Sequence, residues 1–200
     1  KHMDRLVDTS LTATSFAPDA QERALPARAR TVIVGCGIIG ASAAYHLAAA
    51  GDSDVLLVDR HVLGSGTTWH AAGLTASLRG TPMLSDLAAY GIATYERLQA
   101  DSGIDVSFTQ SGSLLLARAP GRMDEVRYVA ALARQKGVPV ELLPPAEVAQ
   151  HWPLGSTERL LGGLLHPQDG YLNPGLAALA LAKLAAEQGV TIRENVEVTG

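Results

Sequence analysis

The chain has 200 residues, 20 of them acidic and 16 basic, for a formal net charge of −4, with 47% hydrophobic and 18% charged residues. This composition excludes a disordered chain, and the slight acidity gives no electrostatic reason to expect nucleic acid or an anionic membrane as partner. The single cysteine, Cys36, excludes an intrachain disulfide framework and a zinc site built from cysteines alone, and suits a cytoplasmic protein.

Lys1-His2-Met3 reads as a vector scar before a start Met, and residues 1–29 as an irregular lead-in broken by Pro18 and Pro26. Its acids, among them Asp4, Asp8, Asp19 and Glu22, argue against a mitochondrial presequence. Thr31–Gly51 is an uncharged run of membrane-spanning length, but its glycines and its change of period midway read better as strand, tight turn and buried helix. Thr31–Val34 is uniformly apolar, as a buried parallel strand requires. A helix is expected from about Gly37 to Ala50, closed by Gly51, and a second buried strand at Val55–Val58.

Residues 60–79 read as a loop rich in small residues. Leu84, Leu87, Ala88, Gly91, Ile92, Tyr95 and Leu98 then recur at helical spacing and predict one apolar stripe, with Gly103 closing the helix. Strands are expected at Val106–Phe108 and Ser113–Ala117, and helices at Arg122–Lys136 and Pro145–Gln150. Leu160–His166 predicts a strand. Asn173-Pro174 predicts an N-cap followed by Pro at the first helical position, with a helix running to Gln188. Val190–Arg193 and Val196–Thr199 complete the expected strands.

Gly35-Cys36-Gly37-Ile38-Ile39-Gly40 follows a strand, opens a helix, and has Asp59 at the end of the next strand. Gly35 makes the tight turn, Gly37 lets backbone approach a pyrophosphate, and Gly40 lets the helix pack on the strands. The helix N-terminus offers unpaired N–H groups to phosphate, and Asp59 can accept from ribose hydroxyls. The acid disfavours a 2′-phosphate, which leaves NAD and FAD. Cys36 is read as a small residue filling the turn. The segment Arg60–Leu74 favours FAD, because a plain NAD-binding unit would soon enter another crossover helix. At about 3.3 Å per residue, the eleven steps from Asp59 to His70 reach up to about 36 Å, enough to follow FAD from ribose to flavin. Thr67 and Thr68 can bond phosphate or ribityl oxygens.

The glycine fingerprint, Asp59 and Gly66-Thr67-Thr68-Trp69-His70-Ala71-Ala72-Gly73-Leu74 resemble the amine-oxidising flavoproteins related to D-amino-acid oxidase, above all the dimethylglycine and sarcosine dehydrogenases and oxidases. Gly162-Gly163-Leu164 and Pro167-Gln168-Asp169-Gly170-Tyr171 also fit that pattern, and the likeness covers about residues 30 to 200. The resemblance implies FAD carried covalently by His70, through an imidazole nitrogen on the flavin 8α carbon. It further implies FAD contacts at Gly35, Gly37, Ile38, Ile39, Gly40, Asp59, Arg60, Thr67, Thr68, Trp69, Leu74 and Val198. The reaction it implies is oxidative demethylation of an N-methyl amino acid, with hydride passing to flavin N5. Formaldehyde would be released, or the carbon captured by tetrahydrofolate in relatives that have a C-terminal folate domain. Oxygen or an electron-transfer flavoprotein would take the electrons.

The catalytic acid or base is expected beyond residue 200, and no metal site is expected. Three other readings stay open: a noncovalent FAD oxidase of the D-amino-acid type, an NAD-binding dehydrogenase, and a non-catalytic regulatory relative. Among the other histidines, His46 is expected to be satisfied within its helix, His61 and His151 to lie in loops or on the surface, and His166 is a candidate to face substrate. The expected fold is α/β, a Rossmann-like FAD-binding domain (30–103 and 169–200) interleaved with a mixed-sheet substrate domain (104–168). The chain is expected to be part of a longer protein.

Overall fold

The structure, a computed structural model, describes residues 24–199. The vector scar and most of the expected lead-in lie outside the described residues, as does Gly200. Two compact units are present. The first holds the described residues through Gly73, then Tyr95–Ser107, and those from Asn173 onward; the second holds Leu74–Thr94 and Phe108–Leu172.

In the first unit, β1 (Thr31–Val34), β2 (Val55–Val58) and β8 (Thr191–Arg193) form a parallel sheet in the order β1-β2-β8. Val34 pairs with Val58, and Val58 with Arg193. All four residues of β2 are buried, which is why the central strand reads as an unbroken apolar run. Helix α1 (Ile38–Ala49) and helix α5 (Pro174–Glu187) pack against each other. Both helices carry buried alanines: Ala41, Ala44 and Ala48 on α1, and Ala177, Ala178, Ala180, Ala182 and Ala185 on α5. Small side chains let the two helix backbones approach closely at little cost in helix propensity. Asn173 caps α5 as expected, its side chain accepting from Leu176 N at 3.0 Å. His46 is satisfied within α1, its Nδ1 lying 2.7 Å from the Ser42 carbonyl.

In the second unit, β4 (Ser113–Ala117), β6 (Gly162–His166) and β5 (Glu141–Leu143) form an antiparallel sheet with β6 at its centre. Its two faces follow the period of two. Leu164 packs with Ala117, Val126 and Ala130 of the side covered by helix α3 (Pro120–Gln135). Leu165 packs with Leu143, Leu160 and Val148 of helix α4 (Pro145–His151). A short ribbon pairs β3 (Leu74–Thr75) with β7 (Gly170–Tyr171). Beside it the buried carboxylate of Asp169 accepts from Ser77 N and Ser77 Oγ at 2.7 Å and from Ser113 Oγ at 2.6 Å.

Several expectations need correction. Val106–Phe108 forms no strand; only Thr109 bridges to Tyr171. Val196–Thr199 is not a strand either, although Val196 N donates to Asp59 O at 2.8 Å. Both segments carry β-formers, but strand propensity does not supply a partner. The loop at 60–79 contains a 3-10 turn (Thr67–His70) and β3. The second compact unit includes residues 74–94, and within it β3 pairs with β7. Helix α2 (Pro82–Ser102) has the expected length, and Ile92 and Leu98 are buried, yet Leu84 and Leu87 are exposed. The turn before it is held by Ser85, whose Oγ accepts from Arg79 N. Among the described residues no helix is long and apolar enough to cross a membrane.

His166 is buried at the end of β6, and burial pushes its pKa below the ordinary 6.5, with the nearby Asp169 opposing part of the shift. As pH falls, the unfolded chain therefore takes up this proton first. The stability that neutral His166 contributes is complete above about 6.5 and is lost as pH falls toward its folded-state value. Urea unfolding of the full-length protein at a series of pH values is expected to show this loss, and His166→Gln to lack that part of the slope.

Candidate dinucleotide-binding site

The turn between β1 and α1 is set by its glycines. Gly35 has φ +109°, a backbone region that L side chains rarely adopt, and no atom lies within 4 Å of where its Cβ would stand. Gly40 is required for the opposite reason: a Cβ there would lie 1.9 Å from the Gly35 carbonyl oxygen. The turn therefore leaves an open face at Gly35 and a helix packed hard against its own entry loop. Helix α1 begins after Gly37, which is extended and gives no side-chain cap. The first-turn N–H groups are consequently presented at the turn.

One of those donors is taken from far away in sequence. Ile38 N donates to Thr68 Oγ1 at 2.9 Å, so Thr68 caps α1 from the 3-10 turn. Thr68 is 7% exposed, which leaves Ile38 N little access to a substitute acceptor. Thr68→Val is expected to cost about 1–3 kcal/mol of stability by orphaning that donor, and Thr68→Ser to be nearly neutral, as read by denaturant unfolding.

Asp59 closes the other side. Its Oδ2 accepts from Cys36 N and its Oδ1 from His61 N, both at 2.8 Å. A carboxylate offers about four lone-pair sites, so both oxygens keep capacity for hydroxyl donors. A cavity of about 240 Å³ opens beside it, lined by Val34, Gly35, Asp59, Arg60, Val196, Glu197 and Val198. Gly35, Asp59, Arg60 and Val198 thus meet at one cavity, together with Val196 and Glu197, which sequence reasoning did not single out. Cys36 is fully buried in the turn, and its thiol is pushed up to about 12 by burial, with the Asp59 and Glu194 charges adding to the effect. It is a neutral filler of the turn, as its size suggested.

His70 ends the 3-10 turn on the surface, with Nδ1 3.1 Å from the Gly66 carbonyl. With Nδ1–H as the donor, the lone pair of the neutral ring sits on Nε2. Trp69 is half-exposed and lies over Gly175 at the start of α5, where a Cβ would come within 3.3 Å of its ring. Ile39, Arg60 and Thr67 are exposed, and Leu74 lies in the second unit. Among the described residues no group of three or more His, Cys, Asp or Glu could hold a metal ion.

Residues 30–200 match the model of the DAO family, described as FAD dependent oxidoreductase. The chain is 52% identical over 98% of its length to a formaldehyde-forming 4-methylaminobutanoate oxidase of Paenarthrobacter nicotinovorans, of which it covers 24%. It is 38% identical over 86% of its length to the mitochondrial dimethylglycine dehydrogenase of Rattus norvegicus, covering 20% of that protein. The mitochondrial pyruvate dehydrogenase phosphatase regulatory subunit of Mus musculus is 32% identical over 95% of this chain, which covers 22% of it. Among solved structures, an L-proline dehydrogenase from P. horikoshii superposes with a TM-score of 0.82 at 25% identity, over 88% of this chain and 46% of its own. The chain therefore spans about a quarter or less of these full-length relatives and about half of the solved structure.

Proposed function

This chain belongs to the DAO family of FAD dependent oxidoreductases, and on that premise we propose that it holds FAD along the path from Asp59 to His70 and serves the oxidation of an N-methyl amino acid. The observation that carries the reading is the cradle at the glycine turn. Gly35 is bare on its Cβ side, the N-terminus of α1 faces the same turn, and the Asp59 carboxylate borders the adjoining cavity. Phosphate suits a helix N-terminus, and a ribose hydroxyl suits the free lone pairs of Asp59. The cavity lined by Arg60, Val196 and Val198 would take the adenine end.

The remaining contacts follow the loop. Thr68 fixes the start of α1, Thr67 and Trp69 are its neighbours in the 3-10 turn, and Ile38 and Ile39 complete the proposed set in the first unit. His70 would carry the flavin covalently through an imidazole nitrogen, and the Nδ1 contact with the Gly66 carbonyl supports Nε2 as the linking atom. Bound FAD supplies the acceptor for two electrons from the C–H bond beside the substrate nitrogen. The rest of the residues argued here bind and orient, and none of them is assigned as the catalytic acid or base.

The first substrate to test is 4-methylaminobutanoate, on the identity to the oxidase of that name, followed by dimethylglycine and sarcosine. Oxygen or an electron-transfer flavoprotein is the proposed acceptor, and the cytoplasm the proposed compartment. Tetrahydrofolate would bind a separate C-terminal domain. The full-length protein is expected to be yellow and to release formaldehyde from one of these amines. A colourless protein, or a yellow one with no formaldehyde from any of them, contradicts the reading. The second outcome favours a regulatory role, which the likeness to the phosphatase regulatory subunit keeps in play.

A further inference from the structure

Glu194 follows β8 and is 4% exposed, yet it ends in a carboxylate. A buried charge is costly unless it is hydrogen-bonded. Its Oε1 accepts from Leu63 N at 2.7 Å, across 131 residues of sequence. Leu63 is itself buried, so without this acceptor its N–H would be an orphaned donor.

The bond is one stitch in a series. Asp59 N donates to Arg193 O at 3.0 Å, Val196 N to Asp59 O at 2.8 Å, and Asn195 N to His61 O at 3.2 Å. The segment 193–196 thus wraps the end of β2, turning at Asn195 with φ +58°, a left-handed conformation that Asn tolerates. Backbone pairing reaches only His61. The Glu194 side chain carries the attachment on to Leu63, and Gly64 N then donates to Cys36 O at 3.0 Å. The loop returns to the glycine turn at that point, shortly before Thr68 and His70.

We propose that Glu194 is a positioning residue for the flavin loop: its buried carboxylate fixes Leu63, and with it the register in which the loop delivers Thr68 to Ile38 and His70 to the cofactor. This assignment rests on the FAD reading above. It asks for an acceptor oxygen at this reach, so Gln serves in place of Glu, whereas Met, of similar length without an acceptor, does not.

The test uses full-length protein carrying Glu194→Gln or Glu194→Met. Two properties are read. One is amide hydrogen exchange over residues 60–66 in FAD-free protein, with β2 as internal reference. The other is FAD affinity in a His70→Ala background, where any flavin is held reversibly. Glu194→Met is expected to speed exchange in the loop about tenfold or more, leave β2 unchanged, and weaken FAD about tenfold. Glu194→Gln is expected to stay within about threefold of the parent in both.

Unchanged loop exchange in Glu194→Met overturns the proposal. So does a loosened loop with unchanged FAD affinity, or equal damage from Gln and Met. Loss of protection in β2 together with the loop, or a variant that fails to fold, makes Glu194 a general structural residue and also overturns it. If the parent protein binds no FAD, the functional reading fails with it, and the exchange data still show separately whether Glu194 clamps the loop.

Discussion

Gly40→Val is expected to reduce FAD content to less than about a tenth of the parent and to destabilise the fold by about 3 kcal/mol or more, the upper range for overpacking a rigid site. The new Cβ would stand 1.9 Å from the Gly35 carbonyl oxygen and 3.1 Å from its carbon. Both are backbone atoms of the glycine turn, and no side-chain rotamer can relieve the overlap. Either α1 moves away from β1 or the turn opens, and each displaces the N–H groups at the start of α1. Gly91→Ala provides the control. Gly91 lies within α2, has open space where a Cβ would be, and is not at positive φ. Removing that helical glycine is expected to stabilise by about 0.4–1 kcal/mol. Opposite signs at two helical glycines, measured by denaturant unfolding and flavin absorbance, would isolate the steric argument from helix propensity. A Gly40→Val protein that keeps its flavin contradicts the described turn.

His70→Ala is expected to convert flavin that survives denaturation into flavin that is released completely. The residue is at the surface, and its Nδ1 hydrogen bond runs to the Gly66 carbonyl within the same loop, so the substitution leaves the buried core of the first unit untouched. Its unfolding free energy should stay within about 0.5 kcal/mol of the parent, the range of ordinary surface substitutions. A large change in cofactor attachment with a small change in stability is the signature of a tether. A large fall in stability with reversible flavin in the parent would instead make His70 structural.

The elements that sequence patterns located correctly are those with local punctuation. β2 is an unbroken apolar run, α1 lies between Gly37 and Gly51, and α5 begins at a capping Asn followed by Pro. The glycine turn was legible because its spacing encodes steric needs that Gly35 and Gly40 meet within the same few residues. What depends on distant partners was not. Val196–Thr199 has strand composition without a partner strand. The stripe on α2 holds Leu84 and Leu87 on the same face as Leu98, but periodicity records which residues share a face and not what covers it. Thr68 Oγ1 accepts from Ile38 N, a contact across 30 residues that no local pattern announces, and its O–H remains a donor for the cofactor. Glu194 escaped notice altogether, since no local pattern marks an acid after a strand as the acceptor for Leu63.

The central claim, FAD held along Asp59 to His70 and anchored at the histidine, is tested most directly by one peptide. Trypsin cleaves after Arg60 and Arg79, and no Lys or Arg intervenes, so residues 61–79 form a single fragment containing both His61 and His70. After denaturation and digestion of the full-length protein, this fragment is predicted to carry the mass of one FAD, with fragmentation placing it on His70. An unmodified 61–79 fragment accompanied by free flavin, or a flavin located on His61, would contradict the account.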